Sequence, residues 1–329
     1  MRFLLDDGQR EFARSLHGML AAADTPDAAR AWARGDQGPG RALWARLADS
    51  GVFALATPEE YDGLGLLPVE LTVAFTELGR HAVPGPLVET VAAAALLDRL
   101  GDRTAAATWL PGIASGKTVA TLNPLTDDSP YTLDADTADL VLIVASGTVR
   151  IAGSTGPVQP SADPARRLSR PAGGTLIADG PHVSRASACA AAVATLTTAA
   201  QALGLGRALL EKTVAYVRQR HQFGRPIGSF QALKHRLADV LIALEFAEPL
   251  VHAAALSLAS ASPRADRDIA AAKAASGEAV YFAARTALQC HGAVGYTEEL
   301  DLSLWIRKAR SLRAAWGTPA ACRARVLAP

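Results

Sequence analysis

The stretch RQRHQFGRPIGSFQALKHRLAD, residues 218–239, decides how this chain is read. It carries five Arg or Lys and two His before its first acid, Asp239, and Gly224, Pro226 and Gly228 interrupt any helical pattern in its middle. On its N-terminal side, residues 184–220 run without proline along an almost unbroken Ala/Leu face. On its C-terminal side, FQALKHRLADVLIALEFAEPLVHAAALSLAS (230–260) reads as a second long helix, with Pro249 as a kink. The basic stretch is therefore the connection between two helices long enough to need partners on most sides. A solvated basic loop is the plain reading of such a charge run. Phe223 and Ile227 are apolar within it, however, and Gln222 and Gln231 add amides that solvation does not require. Arg with amide and backbone donors suits a phosphate group, because guanidinium donates in a fork that matches phosphate oxygens. A diphosphate cofactor is the leading ligand.

Two further helices follow at 266–292 and 300–317, which completes a four-helix bundle over 184–329. Toward the N-terminus, residues 1–117 show four helical patterns, at 6–20, 40–51, 68–81 and 86–101, most closing at Gly or His. Residues 118–183 change to alternation and turns, in TVATL (118–122), DLVLIVASGTVRIAG (139–153) and GTLIADG (174–180), and read as a small β unit of five or six strands. The fold class is mainly α with a small β domain.

The totals agree with a soluble protein whose charge acts locally. There are 329 residues, 50% hydrophobic, with a formal net charge of +1, so the molecule as a whole is no polyanion binder and no nucleic acid is expected. Cys189, Cys290 and Cys322 lie far apart, with neither zinc-site nor disulfide-scaffold spacing, and read as reduced thiols. The N-terminus turns acidic by Asp6 and builds no signal-peptide core, so a cytoplasmic protein with no membrane span is expected.

Other motifs are weaker. QCHGAVGYT (289–297) reads as a helix C-cap at Gly292 with a turn at Gly295, although such a turn also lets backbone approach a ligand closely. GLGRALL (204–210) lies mid-helix with no preceding strand, so it reads as close helix packing and not as a dinucleotide fingerprint. His291 has no second ligand at metal spacing on its own helix, and neither a G-x-S-x-G elbow nor a P-loop occurs.

Together these segments resemble the acyl-CoA dehydrogenase family over nearly the whole chain. RHQFGRPIGSFQALKHRLAD is similar to that family's R-x-Q-F-G-x-P-I-x-x-F-Q-x-x-K-H-x-L-A-D block, QCHGAVGYTEE to its Q-x-x-G-G-x-G-Y-T block, and PEEYDGLG (58–65) to its P-E-E-Y-G-G-L-G. The resemblance implies FAD at a subunit interface, where one subunit's bundle completes its neighbour's cofactor site. On that basis Arg220, Gln222 and Phe223 contact a partner's FAD, Gln231, Gln289 and Gly292 complete the half-site, and Thr318 is a further cofactor residue. Ala293 replaces the second Gly of the turn, which is tolerable at negative φ.

The implied reaction removes an α-proton from an acyl-CoA thioester while a β-hydride passes to flavin, which needs a positioned Glu. At the two places where the resemblance puts that Glu, the sequence has Trp316 and, at about the second, Ala194, and no acid occurs between Asp179 and Glu211. The β unit is short and lacks counterparts of the family's flavin loops; TLNPLTDDSP (121–130) offers no match, and Ala320 stands where a polar residue follows Thr318. Features a subunit uses for its own FAD and substrate are eroded, and features lent to a neighbour are kept. The resemblance therefore implies the short, non-catalytic subunit of a heteromeric, α2β2 sterol-type acyl-CoA dehydrogenase, partnered by a catalytic chain and acting on an acyl-CoA. Two alternatives stand beside it: a homomeric flavoenzyme with a displaced base, for which Glu211, Glu245 and Glu248 are the bundle acids at hand, and a flavin-free scaffold on the same fold.

Overall fold

A computed structural model describes residues 4–123 and 129–328; residues 124–128, where the family's first flavin loop is expected, lie outside the described residues. Six helices come first: α1 (Asp7–Ala21), α2 (Thr25–Ala33), α3 (Gly38–Asp49), α4 (Pro68–Arg80), α5 (Leu87–Leu100) and α6 (Arg103–Ala114). Their ends follow local chemistry. Asp6 and Gln9 form a capping box on α1, Asp24 and Asp102 accept backbone N–H bonds at the starts of α2 and α6, and Gly101 ends α5 at φ +72°. The four helices read from periodicity are present. Periodicity misses α2, which is only nine residues long, and α6, which carries Pro111 inside it.

Among the described residues the β segment holds eight strands, more than the five or six expected: β1 (Ala120–Leu122), β2 (Thr132–Leu133), β3 (Leu140–Ala145), β4 (Thr148–Ile151), β5 (Ser154–Thr155), β6 (Leu168–Ser169), β7 (Pro171–Ala172) and β8 (Thr175–Asp179). The main sheet has the order β1-β3-β4-β8, with β1 parallel to β3 and the other pairs antiparallel. Ser146 and Gly147 both take positive φ in the two-residue β3–β4 turn, the backbone that matches strand twist. The pairs β2–β6 and β5–β7 are two residues per strand, too short for alternation to reveal.

The remainder is helical apart from one hairpin: α7 (Pro181–Gln219), β9 (His221–Gln222), β10 (Arg225–Pro226), α8 (Gln231–Ala259), α9 (Ala265–His291), α10 (Leu302–Ala314) and α11 (Pro319–Leu327). Within it, α9 packs against α8, α10 and α11, so a fifth helix, α11, adds to the four expected. Thr318 starts α11 by accepting the Ala321 N–H at 3.2 Å. Pro249 lies inside α8, which runs unbroken through it.

The chain divides into two compact units: residues up to Ala22, Thr72–Ala82 and from Thr198 onward form one, and Ala23–Leu71 with Val83–Thr197 form the other. In the first, α4 and α7 cross at backbone contact. A Cβ on Gly204 would sit 1.8 Å from the Thr76 carbonyl oxygen, and one on Gly79 would sit 2.0 Å from that of Gln201. Within GLGRALL, Gly204 serves this crossing, and Gly206 lets Leu244 of α8 approach, a Cβ there falling 2.6 Å from its Cδ2, so both glycines are used for close helix packing as their mid-helix position implies. In the second, the buried Trp32 and Phe53 are accompanied by buried polar groups, among them Asp134, whose Oδ1 accepts the Trp32 indole N–H at 3.0 Å.

Candidate functional site

The basic stretch folds as the turn between α7 and α8. Gln222 pairs with Arg225 and His221 with Pro226, which leaves Phe223 and Gly224 as a two-residue loop at φ +53° and +77°. Both central residues of a type I′ turn need positive φ, a conformation glycine takes freely and phenylalanine rarely does. The Ile227 N–H closes the turn on the Arg220 carbonyl at 2.8 Å. Phe223 is 90% exposed; its ring meets Phe230 edge-on at 6.1 Å, and the Arg225 guanidinium lies 4.2 Å above the Phe230 ring. A strained aromatic residue is thus held outward on a rigid hairpin.

The charges around it are unspent. Arg218, Arg220, Gln222, Arg225 and Gln231 are all exposed, and among the described residues none of the three arginines is paired with a carboxylate. Gln231 is the first residue of α8, and Phe230 at the N-cap gives that helix start no side-chain cap. The partial positive end of a 29-residue helix therefore adds to the arginines. Sequence reading missed Arg225; the signal was the aromatic residue five positions on.

Gln289 and Gly292 join this end of the bundle through a ring stack. His291 lies 4.0 Å from Tyr216 with planes 25° apart, which ties the end of α9 to the last turns of α7. His291 is buried, its Nδ1 lies 2.8 Å from the Ala287 carbonyl, and burial lowers its pKa, so it is a packed neutral side chain. Gly292 ends α9 at φ +64° and ψ −140°, a backbone that requires glycine, while open space surrounds it. Ala293 is exposed and does not take positive φ, so its methyl is accommodated. The following turn is a 3-10 helix, Gly292–Tyr296, with Gly295 buried against Leu288.

Trp316 and Thr318 are not brought to this cluster. They sit on the α10–α11 turn, where Trp316 takes φ +54° and Gly317 φ +120°. The turn is anchored by Lys273, fully buried on α9, whose Nζ donates to the carbonyls of Leu312 (3.1 Å), Arg313 (3.1 Å) and Gly317 (2.9 Å). Lys273 and His291 are both on α9, and at 1.5 Å rise per residue about 27 Å of helix separates them. The expected cofactor residues therefore form two groups: Arg220, Gln222, Phe223, Gln231, Gln289 and Gly292 at one end, and Thr318 at the other. Trp316 is half-buried and its indole N–H can only donate a hydrogen bond; Ala194 is fully buried within α7.

Comparison with known proteins fits this arrangement. Residues 6–117 match the acyl-CoA dehydrogenase N-terminal domain and residues 184–328 the acyl-CoA dehydrogenase C-terminal domain. Acyl-CoA dehydrogenase IpdE2 of Mycobacterium tuberculosis is 33% identical over 305 residues, which is 92% of this chain and 91% of that protein. The chain belongs to the acyl-CoA dehydrogenase family. Acyl-CoA dehydrogenases are oxidoreductases that act on a CH–CH bond, and the family implies FAD. The fold matches the ChsE4-ChsE5 complex from Mycobacterium tuberculosis at TM-score 0.87 and 24% identity, over 99% of this chain and 98% of that one. It matches the Tcur3481-Tcur3483 steroid ACAD at TM-score 0.84 and 22% identity, over 97% and 96%.

For this acyl-CoA dehydrogenase, the exposed end of the bundle fits part of a flavin dinucleotide. Unpaired arginines and an uncapped helix start suit a diphosphate, three glutamine amides supply hydrogen bonds, and Gly292 leaves room for close backbone approach. Sequence reading also missed the outer side of α8, where Leu241, Ile242, Phe246 and Leu250 are exposed, Phe246 by 73%. The signal was a helix apolar on more sides than one bundle core can cover.

Proposed function

We propose that this chain is the flavin-site-completing, non-catalytic subunit of a cytoplasmic heteromeric acyl-CoA dehydrogenase, working beside a partner chain that carries the general base. The observation that carries this reading is the outward projection of the hairpin: its arginines, amides and aromatic ring face away from the bundle that holds them. A group bound there would be half-covered by this chain, and a second chain would cover the rest. When bound, FAD supplies the two-electron acceptor for α,β-oxidation of an acyl-CoA thioester. Arg220 provides charge toward the diphosphate, Gln222, Gln231 and Gln289 provide hydrogen bonds, and Phe223 provides an apolar cover. Neither Trp316 nor Ala194 can take up a proton, so the base comes from the partner. The exposed apolar side of α8 offers that partner a further surface on the helix that follows the hairpin. Likeness to a two-component steroid ACAD supports a steroid side-chain CoA ester as the substrate class.

The acids of the homomeric alternative are engaged elsewhere. Glu211 receives a two-point hydrogen bond from Arg80 at 2.6 and 2.7 Å, and Glu245 and Glu248 both bind Arg207. All three line one cavity together with Arg80 and Arg207, and there each is held as an ion-paired carboxylate.

Expression of the chain alone and together with a Glu-bearing acyl-CoA dehydrogenase from the same genome tests the proposal. The lone chain is expected to carry little flavin and no dehydrogenase turnover, and the co-expressed pair to have both. Stoichiometric FAD with turnover in the lone chain would overturn it, and a pair without flavin absorption would point to the scaffold reading.

A further inference from the structure

Away from the hairpin, three metal-competent side chains converge where α1 meets α4. His17 on α1 places its Nδ1 3.0 Å from Glu77 Oε2 on α4 and 3.2 Å from the Nε2 of His81, one residue past the end of that helix. All three ligand atoms lie within 4.8 Å of one another. A His17 Nδ1–H shared between Glu77 Oε2 and the Nε2 lone pair of His81 serves this arrangement when a proton occupies it. With the proton displaced, the same three atoms each offer a lone pair to one centre, which is the arrangement a metal ion takes.

The dimensions agree. Zinc–nitrogen bonds of about 2.0–2.1 Å in a tetrahedron set neighbouring ligand atoms about 3.4 Å apart. The side chains of His17 and Glu77 are 47% and 13% exposed, so the site is anchored at the carboxylate and open to water at the imidazole. Two imidazoles and one carboxylate suit a first-row transition ion over Mg2+ or Ca2+, which prefer oxygen ligands.

We propose that His17, Glu77 and His81 bind one divalent transition ion, with Zn2+ as the reference ion, and that this ion fastens α1 to the end of α4. The charges of Arg80 and Lys212 act on His81. The two cations beside it are partly engaged: Arg80 binds Glu211, and Lys212 lies 4.7 Å over the Trp305 ring. Their field weakens the site relative to a four-ligand structural zinc, and the Glu77 carboxylate opposes it.

The test uses the full chain after chelator treatment and desalting, titrated with ZnCl2 by calorimetry and melted with ZnCl2 or MgCl2. One Zn2+ per chain is expected, with the melting temperature raised by several degrees by Zn2+ and not by Mg2+. His17→Ala, at a half-exposed position, and the near-isosteric Glu77→Gln should each lower Zn2+ affinity at least tenfold. Absence of Zn2+ binding in the unaltered chain, or unchanged affinity in both variants, would refute the site. Co2+ added to the unaltered chain gives a readout independent of folding in the variants. Ligand-field bands without thiolate charge transfer are expected, and a thiolate band or no band counts against the proposal.

Discussion

Replacing Lys273 by Met tests how the α10–α11 turn is held. The ammonium is fully buried and donates to three backbone carbonyls at 2.9–3.1 Å, two of them in the last turn of α10 and the third on Gly317. A cation at a helix C-terminus also meets the negative end of the helix dipole. Methionine nearly matches the volume, removes every donor and relieves the cost of burying a charge. Hydrogen bonds to a charged group contribute roughly 1.5–3 kcal/mol each, and after crediting the relieved desolvation we expect a net loss of about 2–4 kcal/mol. At about 2–4 °C per kcal/mol this lowers the melting temperature by about 5–15 °C, read by far-UV circular dichroism on heating. The backbone at Trp316 and Gly317, both at positive φ, should loosen first, visible as faster amide exchange at 315–318 than at 231–259. A Met variant as stable as the parent, with unchanged exchange at that turn, would refute the view that Lys273 sets its geometry.

Three further outcomes are expected. Arg220→Ala should leave the lone chain's melting temperature unchanged, since the side chain is exposed, and lower the FAD affinity of the co-expressed complex roughly ten- to a hundredfold, as loss of one charge-assisted bond implies. Gly204→Ala puts a methyl into the Thr76 carbonyl and should destabilise by about 3 kcal/mol in urea titration, whereas Gly18→Ala, with nothing within 4 Å, should be neutral or stabilising. Burial raises Asp134 to about 8 against an ordinary 3.8, so the folded state keeps a proton there that the unfolded chain releases. Its contribution to stability is therefore full below about pH 4 and falls by roughly 1.4 kcal/mol per pH unit up to about 8. Asp134→Asn, which still accepts the Trp32 N–H, should flatten that fall relative to the parent. His81, lowered to about 4, acts in the opposite direction between about pH 4 and 6.5, so the comparison between parent and variant is the informative one.

Sequence alone determined the order of helical, β and helical segments, because long apolar periodicity and glycine, proline and aspartate punctuation are local signals. It also determined the two long bundle helices, the basic connection between them and the purpose of Gly204, since a mid-helix glycine without a preceding strand has packing as its use. Strands of two residues and a helix interrupted by Pro111 leave no period to read, so β2, β5, β6, β7 and α6 emerged only from pairing and packing. The tertiary structure alone decided which residues stand together. It stacked His291 on Tyr216, and so brought Gly292 beside the Arg220 hairpin, while the same helix α9 carried the Thr318 turn about 27 Å away. It turned Phe223 outward at positive φ and left the outer side of α8 uncovered. It also joined His17 to Glu77 and His81 across some sixty residues of chain, at a place no spacing rule inspects. The physical reason is the same in each case: periodicity reports which face of an element is apolar, whereas contact between elements depends on how those faces are satisfied in three dimensions.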